Sequence, residues 1–279
     1  METKKVWFVT GASKGLGLTL IKKLLKNNFN VVATSRNIDI LINEIGDANE
    51  QFLPLAVNLV DDDDVKKAME KSIAYFGRID VVVNNAGYGQ TGTLEELTDK
   101  ESRANFDVNV FGTLNVVRNV MPHLRYQNSG HIFNISSVGG LFAGFPGWGI
   151  YCATKFAVAG FTEALAEEVK DFNINATVVY PGYFRTDFLS KDSVMTPKSP
   201  IQIYEAARES EKAHLENISG NQPNDPDKAA DVLIAISKFE NPPVHLLLGS
   251  DAYDILNNKI EAITKDAEKW KSYTLSTAY

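Results

Sequence analysis

The chain has 279 residues, 44% of them hydrophobic and 23% charged, which is enough length and apolar content for one large α/β domain over residues 1–279. A net charge of −7 without a strong basic patch argues against nucleic-acid binding, and a single cysteine, Cys152, rules out an intramolecular disulfide and fits a reducing compartment. The N-terminal apolar run is too short for a signal peptide and no stretch reaches membrane-spanning length, so a cytoplasmic protein with no membrane span is expected. The four histidines (His123, His131, His214, His245) lack ligand spacing, and no metal site is predicted.

Lys4 to Thr10 (KKVWFVT) has the β-branched and aromatic content of a strand, and it runs into TGASKGLG and the helical pattern LTLIKKLLKNN. The loop holds Gly11, Ser13, Lys14, Gly15, Leu16 and Gly17, with glycines spaced G-x-x-x-G-x-G. That spacing departs from the G-x-G-x-x-G dinucleotide fingerprint but uses the same mechanics. Glycines let the backbone turn tightly against a pyrophosphate, and the following helix offers free N–H groups and a positive dipole end. The second strand, Asn30 to Ser35, is followed by Arg36. A carboxylate there would bind the ribose hydroxyl of NAD, whereas a cation suits the extra phosphate of NADP. With Arg36 at this point, Lys14 in the glycine loop and no acid, NADP(H) is the expected cofactor.

Phe52 to Asn58 gives a third strand, and the carboxylates of Asp61 to Asp64 cap a helix running to about Phe76. Ile79 to Val83 is a fourth strand, leading into Asn84-Asn85-Ala86-Gly87. One long helix is expected from about Glu101 to Arg125, with Asn109 inside it, then a strand over His131 to Ile135. A helix from about Ile150 to Asp171 and a strand from Asn175 to Tyr180 follow, the latter ending in Pro181-Gly182. Residues 189–225, richer in Pro, Ser and Asn, read as an excursion over a site. A helix from Pro226 to Phe239, a strand over Val244 to Leu248 and a helix from about Asp251 to Trp270 close the chain. Alternating strands and helices predict a parallel sheet covered on both faces.

The chemistry concentrates between Asn134 and Lys155. Ser137 precedes Tyr151, and Lys155 lies one helical turn beyond it, on the same face. A phenol titrates near pKa ~10, and a neighbouring ammonium favours its phenolate and moves it towards the working range. Ser137, on the loop leaving a strand, could hold a substrate oxygen against that phenol, which completes an acid/base set for a carbonyl or an alcohol. Tyr-x-x-x-Lys alone arises by chance about once in a chain of this composition, so its weight comes from the rest of the sequence.

TGASKGLG (10–17), NNAG (84–87), Asn109, Ser137, YCATK (151–155) and PGYFRT (181–186) stand in unbroken order over about residues 4 to 190. In that order and spacing the chain resembles the short-chain dehydrogenase/reductase family, most closely the branch that includes 17β-hydroxysteroid and retinol dehydrogenases. The resemblance implies a doubly wound Rossmann fold of seven parallel strands, with NAD(P) at the carboxyl edge. It implies Tyr151 as general acid/base, Lys155 as its partner and a ligand of the nicotinamide ribose, and Ser137 on the substrate oxygen. Asn109 would kink its helix and carry a water, and Thr186 would contact the nicotinamide amide, with Pro181 and Gly182 beside it. Asn85 would support the sheet while Ala86 and Gly87 leave room for the cofactor. At Asn58-Leu59 the family often has an Asp for the adenine amino group; Asn58 keeps a carbonyl acceptor. Relatives commonly form dimers or tetramers, so a homo-oligomer is expected.

The expected function is an NADP(H)-dependent oxidoreductase interconverting a small-molecule ketone or aldehyde with its alcohol. A nucleotide-sensing regulatory protein on the same fold, or a redox-silent lyase or epimerase, are the alternatives. Leu141, Phe142, Phe145, Trp148, Tyr183, Phe184 and Phe188 cluster after strand ends, so the substrate is expected to be lipophilic, with residues 189–225 as a mobile cover.

Overall fold

β1 (Val6–Val9) is buried at every position, as a central strand covered on both faces must be. The structure is a computed structural model and describes residues 4–279; the first three residues, where the expected lack of a signal peptide begins, lie outside the described residues. α1 (Gly15–Lys26) leads to β2 (Asn30–Ser35), and β3 (Phe52–Ala56) to α3 (Asp62–Phe76). Between β2 and β3 runs α2 (Ile38–Ile45), not among the expected elements although Ile38, Leu41, Ile42 and Ile45 stand at helical spacing; Asn37 caps it, accepting from Asp39 N–H at 3.0 Å. At the start of α3, Asp61 accepts from the backbone of Asp63 and Asp64, so the acidic run is a cap.

β4 (Val81–Asn84) and the short β5 (Gly89–Gln90) precede the stretch expected as one helix. It is instead α4 (Asp99–Phe106), a π turn over Asp107–Phe111, and α5 (Gly112–Gln127). β6 (Gly130–Ile135), α6 (Gly149–Val169) and β7 (Ile174–Pro181) follow. Beyond them come β8 (Val194–Met195), α7 (Glu205–Lys212) and a second π turn over Ala213–Ile218. The chain finishes with α8 (Pro226–Ile236), β9 (His245–Leu248), α9 (Ser250–Lys269) and α10 (Lys271–Leu275). Among the described residues no helix is long and apolar enough to cross a membrane.

Seven strands form one parallel sheet in the order β3-β2-β1-β4-β6-β7-β9, the expected doubly wound Rossmann arrangement, and β5 pairs with β8 in a separate ribbon. Alternation along β1 sorts the two cores. Trp7 and Val9 pack with Leu20, Leu24, Phe133 and Leu233, under α1 and α8. Val6 and Phe8 pack with Met69, Val82, Val120 and Leu165, under α3, α5 and α6. Each fully buried Leu or Phe contributes about 2 kcal/mol relative to exposure. The order of the chain reverses between β1 and β4, so the crevice beyond their carboxyl ends is the topological switch point where open α/β sheets bind ligands.

On β6, His131 is only 4% exposed and lies against Phe133, ring centres 3.9 Å apart. Thr177 donates its one hydroxyl proton to the Pro243 carbonyl at 2.7 Å, so the imidazole Nε2–H donates to Thr177 Oγ1 at 2.9 Å. Burial, with the charge of Lys5 adding to it, holds His131 down from 6.5 to about 3. Because the folded value is depressed, the unfolded chain binds the extra proton between those two pH values, and stability falls as pH is lowered through that window. Denaturant unfolding as a function of pH should show this loss, limited by one proton at about 1.4 kcal/mol per pH unit, and His131→Gln should remove that component of the slope.

Candidate active site

The glycine loop sits against the exit of β4. Asn85 Nδ2 donates to the carbonyls of Thr10 at 3.1 Å and Gly11 at 3.0 Å, while Thr10 Oγ1 accepts from the backbone of Asn85 and Ala86, each at 3.1 Å. A Cβ on Gly17 would stand 2.6 Å from Asn85 Nδ2, and one on Gly11, at φ +62°, 2.7 Å from Ala86 Cα. Only hydrogen fits at either position, so the loop lies close and flat. Lys14, the residue before α1, makes no side-chain cap, and the first turn carries no acid. Free N–H groups therefore face the crevice, as an anion site needs.

One cleft of about 300 Å³ runs from this loop to the apolar pocket. Gly11, Ser13, Lys14, Gly15 and Leu16 line it, with Arg36, Asn58, Leu59, Asn85, Ala86 and Gly87 beyond them. Gly17 lies behind the loop and acts through clearance. Arg36 follows β2 with no carboxylate beside it in sequence, whereas Lys14 Nζ donates to the Asp192 carbonyl at 3.3 Å. Arg36 is thus the cation at the β2 end. Asn58 Oδ1 receives only a long 3.4 Å contact from Val60 N–H, and the Leu59 carbonyl is held by Asn115 Nδ2 at 2.9 Å. A flat glycine floor, an uncapped helix N-terminus and an Arg at the second strand fit a pyrophosphate-linked dinucleotide.

At the other end, Ser137 follows β6, and Tyr151 and Lys155 occupy the first turns of α6. Tyr151 is 7% exposed and Lys155 5%. Lys155 Nζ donates to the Ile135 carbonyl at 2.9 Å and stands 5.8 Å from the centre of the Tyr151 ring. Ser137 Oγ accepts from Gly139 N–H at 3.0 Å and keeps its own proton for another partner. Asn109, in the π turn, donates to the Tyr88 carbonyl and to Thr154 Oγ1, each at 3.1 Å, and accepts from Tyr88 N–H at 3.1 Å. Its side chain pins the Gly87–Tyr88 backbone, and its main-chain carbonyl accepts from Thr113 Oγ1 at 3.0 Å.

Desolvation outweighs pairing at this turn. Burial pushes the Tyr151 phenol above its usual range, with the Ser137 hydroxyl pulling the other way, and it pushes Lys155 down to about 8. The ammonium does not bring the phenol down, contrary to what the Tyr–Lys spacing suggested, because the site penalises both charges. At neutral pH the phenol keeps its proton and Lys155 its charge.

Phe145, Trp148, Tyr183, Phe184, Phe188 and Leu189 line the pocket, together with Pro181, Gly182 and Thr186. Leu141 packs elsewhere, on Ala159, Val178 and Tyr180, and Phe142 backs Phe145 edge-on at 5.4 Å. Residues 189–225 are fastened to the body. β8 pairs with β5, Arg208 forms an ion pair with the buried Glu96, and Asn224 bonds Asp251 at 2.7 Å and the Tyr183 carbonyl at 3.0 Å. Ser136 and His214 also line the site, though no motif announced them, and Thr154, inside YCATK, joins it by accepting from Asn109; a polar side chain at the end of a buried strand was the available signal for Ser136.

The family model for short chain dehydrogenases matches residues 5–196, and the chain belongs to that family. It is 37% identical over 277 residues to oxidoreductase BOA17 of Botryotinia fuckeliana, covering 98% of this chain and 99% of that one. A crystal structure of a short-chain dehydrogenase from Streptomyces avermitilis superposes with a TM-score of 0.89 at 31% identity, over 100% of both chains. A 3-ketoacyl-(acyl-carrier-protein) reductase from Brucella melitensis, complexed with NADH, superposes with a TM-score of 0.73 at 25% identity, over 89% of this chain and 98% of that one. The protein is an oxidoreductase of this family.

Gly17→Ala should weaken nucleotide binding at least tenfold, because its methyl group must displace Asn85 or the loop. Gly160→Ala, whose Cβ meets nothing within 4 Å, should leave binding unchanged. Fluorescence titration of both variants with reduced dinucleotide checks the pair.

Proposed function

We propose that the protein is an NADP(H)-dependent reductase of lipophilic ketones or aldehydes, with Tyr151 as proton donor. The observation that carries this reading is a buried phenol, protonated at neutral pH, one helical turn from a buried ammonium at the mouth of an apolar pocket. Bound reduced nicotinamide supplies the hydride; the protein supplies orientation and the proton. Ser137 Oγ–H holds the carbonyl oxygen, and Tyr151 Oη–H delivers its proton there. The phenolate left behind is buried beside Lys155, whose remaining N–H groups stabilise it and return a proton. Gly182 and Thr186 close the nicotinamide end, and residues 189–225 exclude water. The family neighbour from Brucella carries NADH, so cofactor choice rests on this chain's own charge, Arg36 without a competing acid.

Measured with each cofactor, kcat/KM should favour NADPH at least tenfold, and Arg36→Asp should reverse the preference. Equal efficiency in the unmodified protein would contradict the assignment.

Tyr151→Phe should lower kcat by at least about 100-fold while nucleotide affinity stays within about twofold, since the ring remains and only the proton donor is lost. With the unmodified protein, carbonyl reduction should be flat below pH 8 and fall as pH rises through about 8, where Lys155 loses its proton. A rate that rose through this range would assign the working state to neutral lysine.

A further inference from the structure

His214, on the π turn Ala213–Ile218, is 8% exposed and boxed by rings, with centre separations of 4.8 Å to Trp148, 5.8 Å to Tyr183 and 6.3 Å to Phe145. Both of its nitrogens are engaged. Nδ1 stands 2.7 Å from the Ser210 carbonyl oxygen, and Nε2 stands 2.9 Å from the Tyr183 hydroxyl. A carbonyl only accepts, so this bond pattern puts the ring proton on Nδ1 and makes Nε2 an acceptor. Tyr183 must then donate its one proton to His214. Burial disfavours the imidazolium and keeps the ring in that neutral form.

The consequence is directional. With its proton committed, Tyr183 Oη can offer a ligand only lone pairs. Tyr183 and His214 line the same cleft as Ser137 and Tyr151, and Trp148 bridges the two polar points, its ring 5.6 Å from that of Tyr151. The neighbouring wall is apolar, formed by Phe145, Phe188 and Leu189. In such a wall a donor on the ligand that finds no acceptor is left desolvated and unpaired, and a group that only accepts finds no donor at Tyr183.

We propose that Tyr183, oriented by His214, is a specificity-determining acceptor, and that the preferred substrate is a lipophilic carbonyl compound bearing a hydroxyl group on its apolar frame. This rests on the cleft being a carbonyl-reducing site. The competing role for the pair is purely structural, clamping the π turn to the loop after β7.

The probes are acetophenone and benzylacetone, each compared with its para-hydroxy and para-methoxy derivatives, which gives two spacings between the ketone and a group that donates or only accepts. Two quantities are measured: kcat/KM with NADPH, and Kd from quenching of tryptophan fluorescence, with Trp148 in the pocket wall. In at least one spacing the hydroxyl compound should be favoured over the ether by about 10- to 100-fold. Tyr183→Phe, which keeps the ring, should bring that ratio within about threefold. His214→Leu should free the Tyr183 proton and turn the preference towards the ether, a reversal that a structural clamp would not produce. A ratio near one at both spacings in the unmodified protein, or a ratio that survives Tyr183→Phe, would overturn the proposal. Preferential binding without turnover would leave the acceptor role of Tyr183 standing and defeat the reductase reading; turnover without preference would overturn the acceptor role and leave the reductase reading standing.

Discussion

Loss of water around one helical turn is the constraint that sets the proton affinities of this cleft. Tyr151 and Lys155 are both buried, so neither charge is screened or solvated, and each group is pushed towards its neutral form. The result is a phenol that holds its proton beside an ammonium that is easily persuaded to give one up. In water the same pair would titrate like any tyrosine and lysine. In the buried pocket the phenol stays protonated at neutral pH, and the same desolvation makes it a weaker acid than a free tyrosine.

The turn is placed by buried polar contacts across the sheet. Asn84 and Asn134 are register partners on β4 and β6, joined by a side-chain bond of 2.8 Å, and Asn134 continues to Thr162 on α6 at 2.9 Å. Ser136 Oγ fixes the Lys155 carbonyl at 2.8 Å, and Ile135 takes its ammonium. These contacts set α6 against the carboxyl edge, while Asn85 sets the glycine loop against the same edge from the β1 side. The glycine loop and the Tyr151–Lys155 turn are therefore positioned from adjacent strands, β1, β4 and β6. The π turn at Asn109 adds the third fixed point: from this widened turn its side chain bonds both Tyr88 and Thr154.

Much of this was legible in the sequence. All seven strands of the large sheet show as short apolar runs, the central ones because both faces are buried, and their ends fall within two residues of the expected ones. The order of TGASKGLG, NNAG, Ser137 and YCATK carried the site, since each motif ends a strand or opens a helix at one edge. What was hidden depends on long-range packing. The pattern from Glu101 to Arg125 is helical throughout; the break at Asn109 was expected only from the family resemblance, and it takes the form of the π turn. Residues 189–225 looked mobile from composition, yet the partners that fasten them, Glu96 and Asp251, lie far away in sequence. The scattered histidines carried no spacing signal, so His214 emerged only when folding brought it to Tyr183. The sign of the phenol's displacement was missed because proximity to lysine is visible in a sequence and dehydration is not.

Desolvation of the Tyr151–Lys155 turn is tested most directly by titrating Lys155 itself, by NMR of lysines labelled at the ε-carbon, with the resonance assigned by its loss in Lys155→Met. If the turn is dry, Lys155 titrates at about 8, well below the exposed lysines of the same molecule. A midpoint at the ordinary value of 10.5 would show that the turn is hydrated and that desolvation does not set the proton affinities of the site.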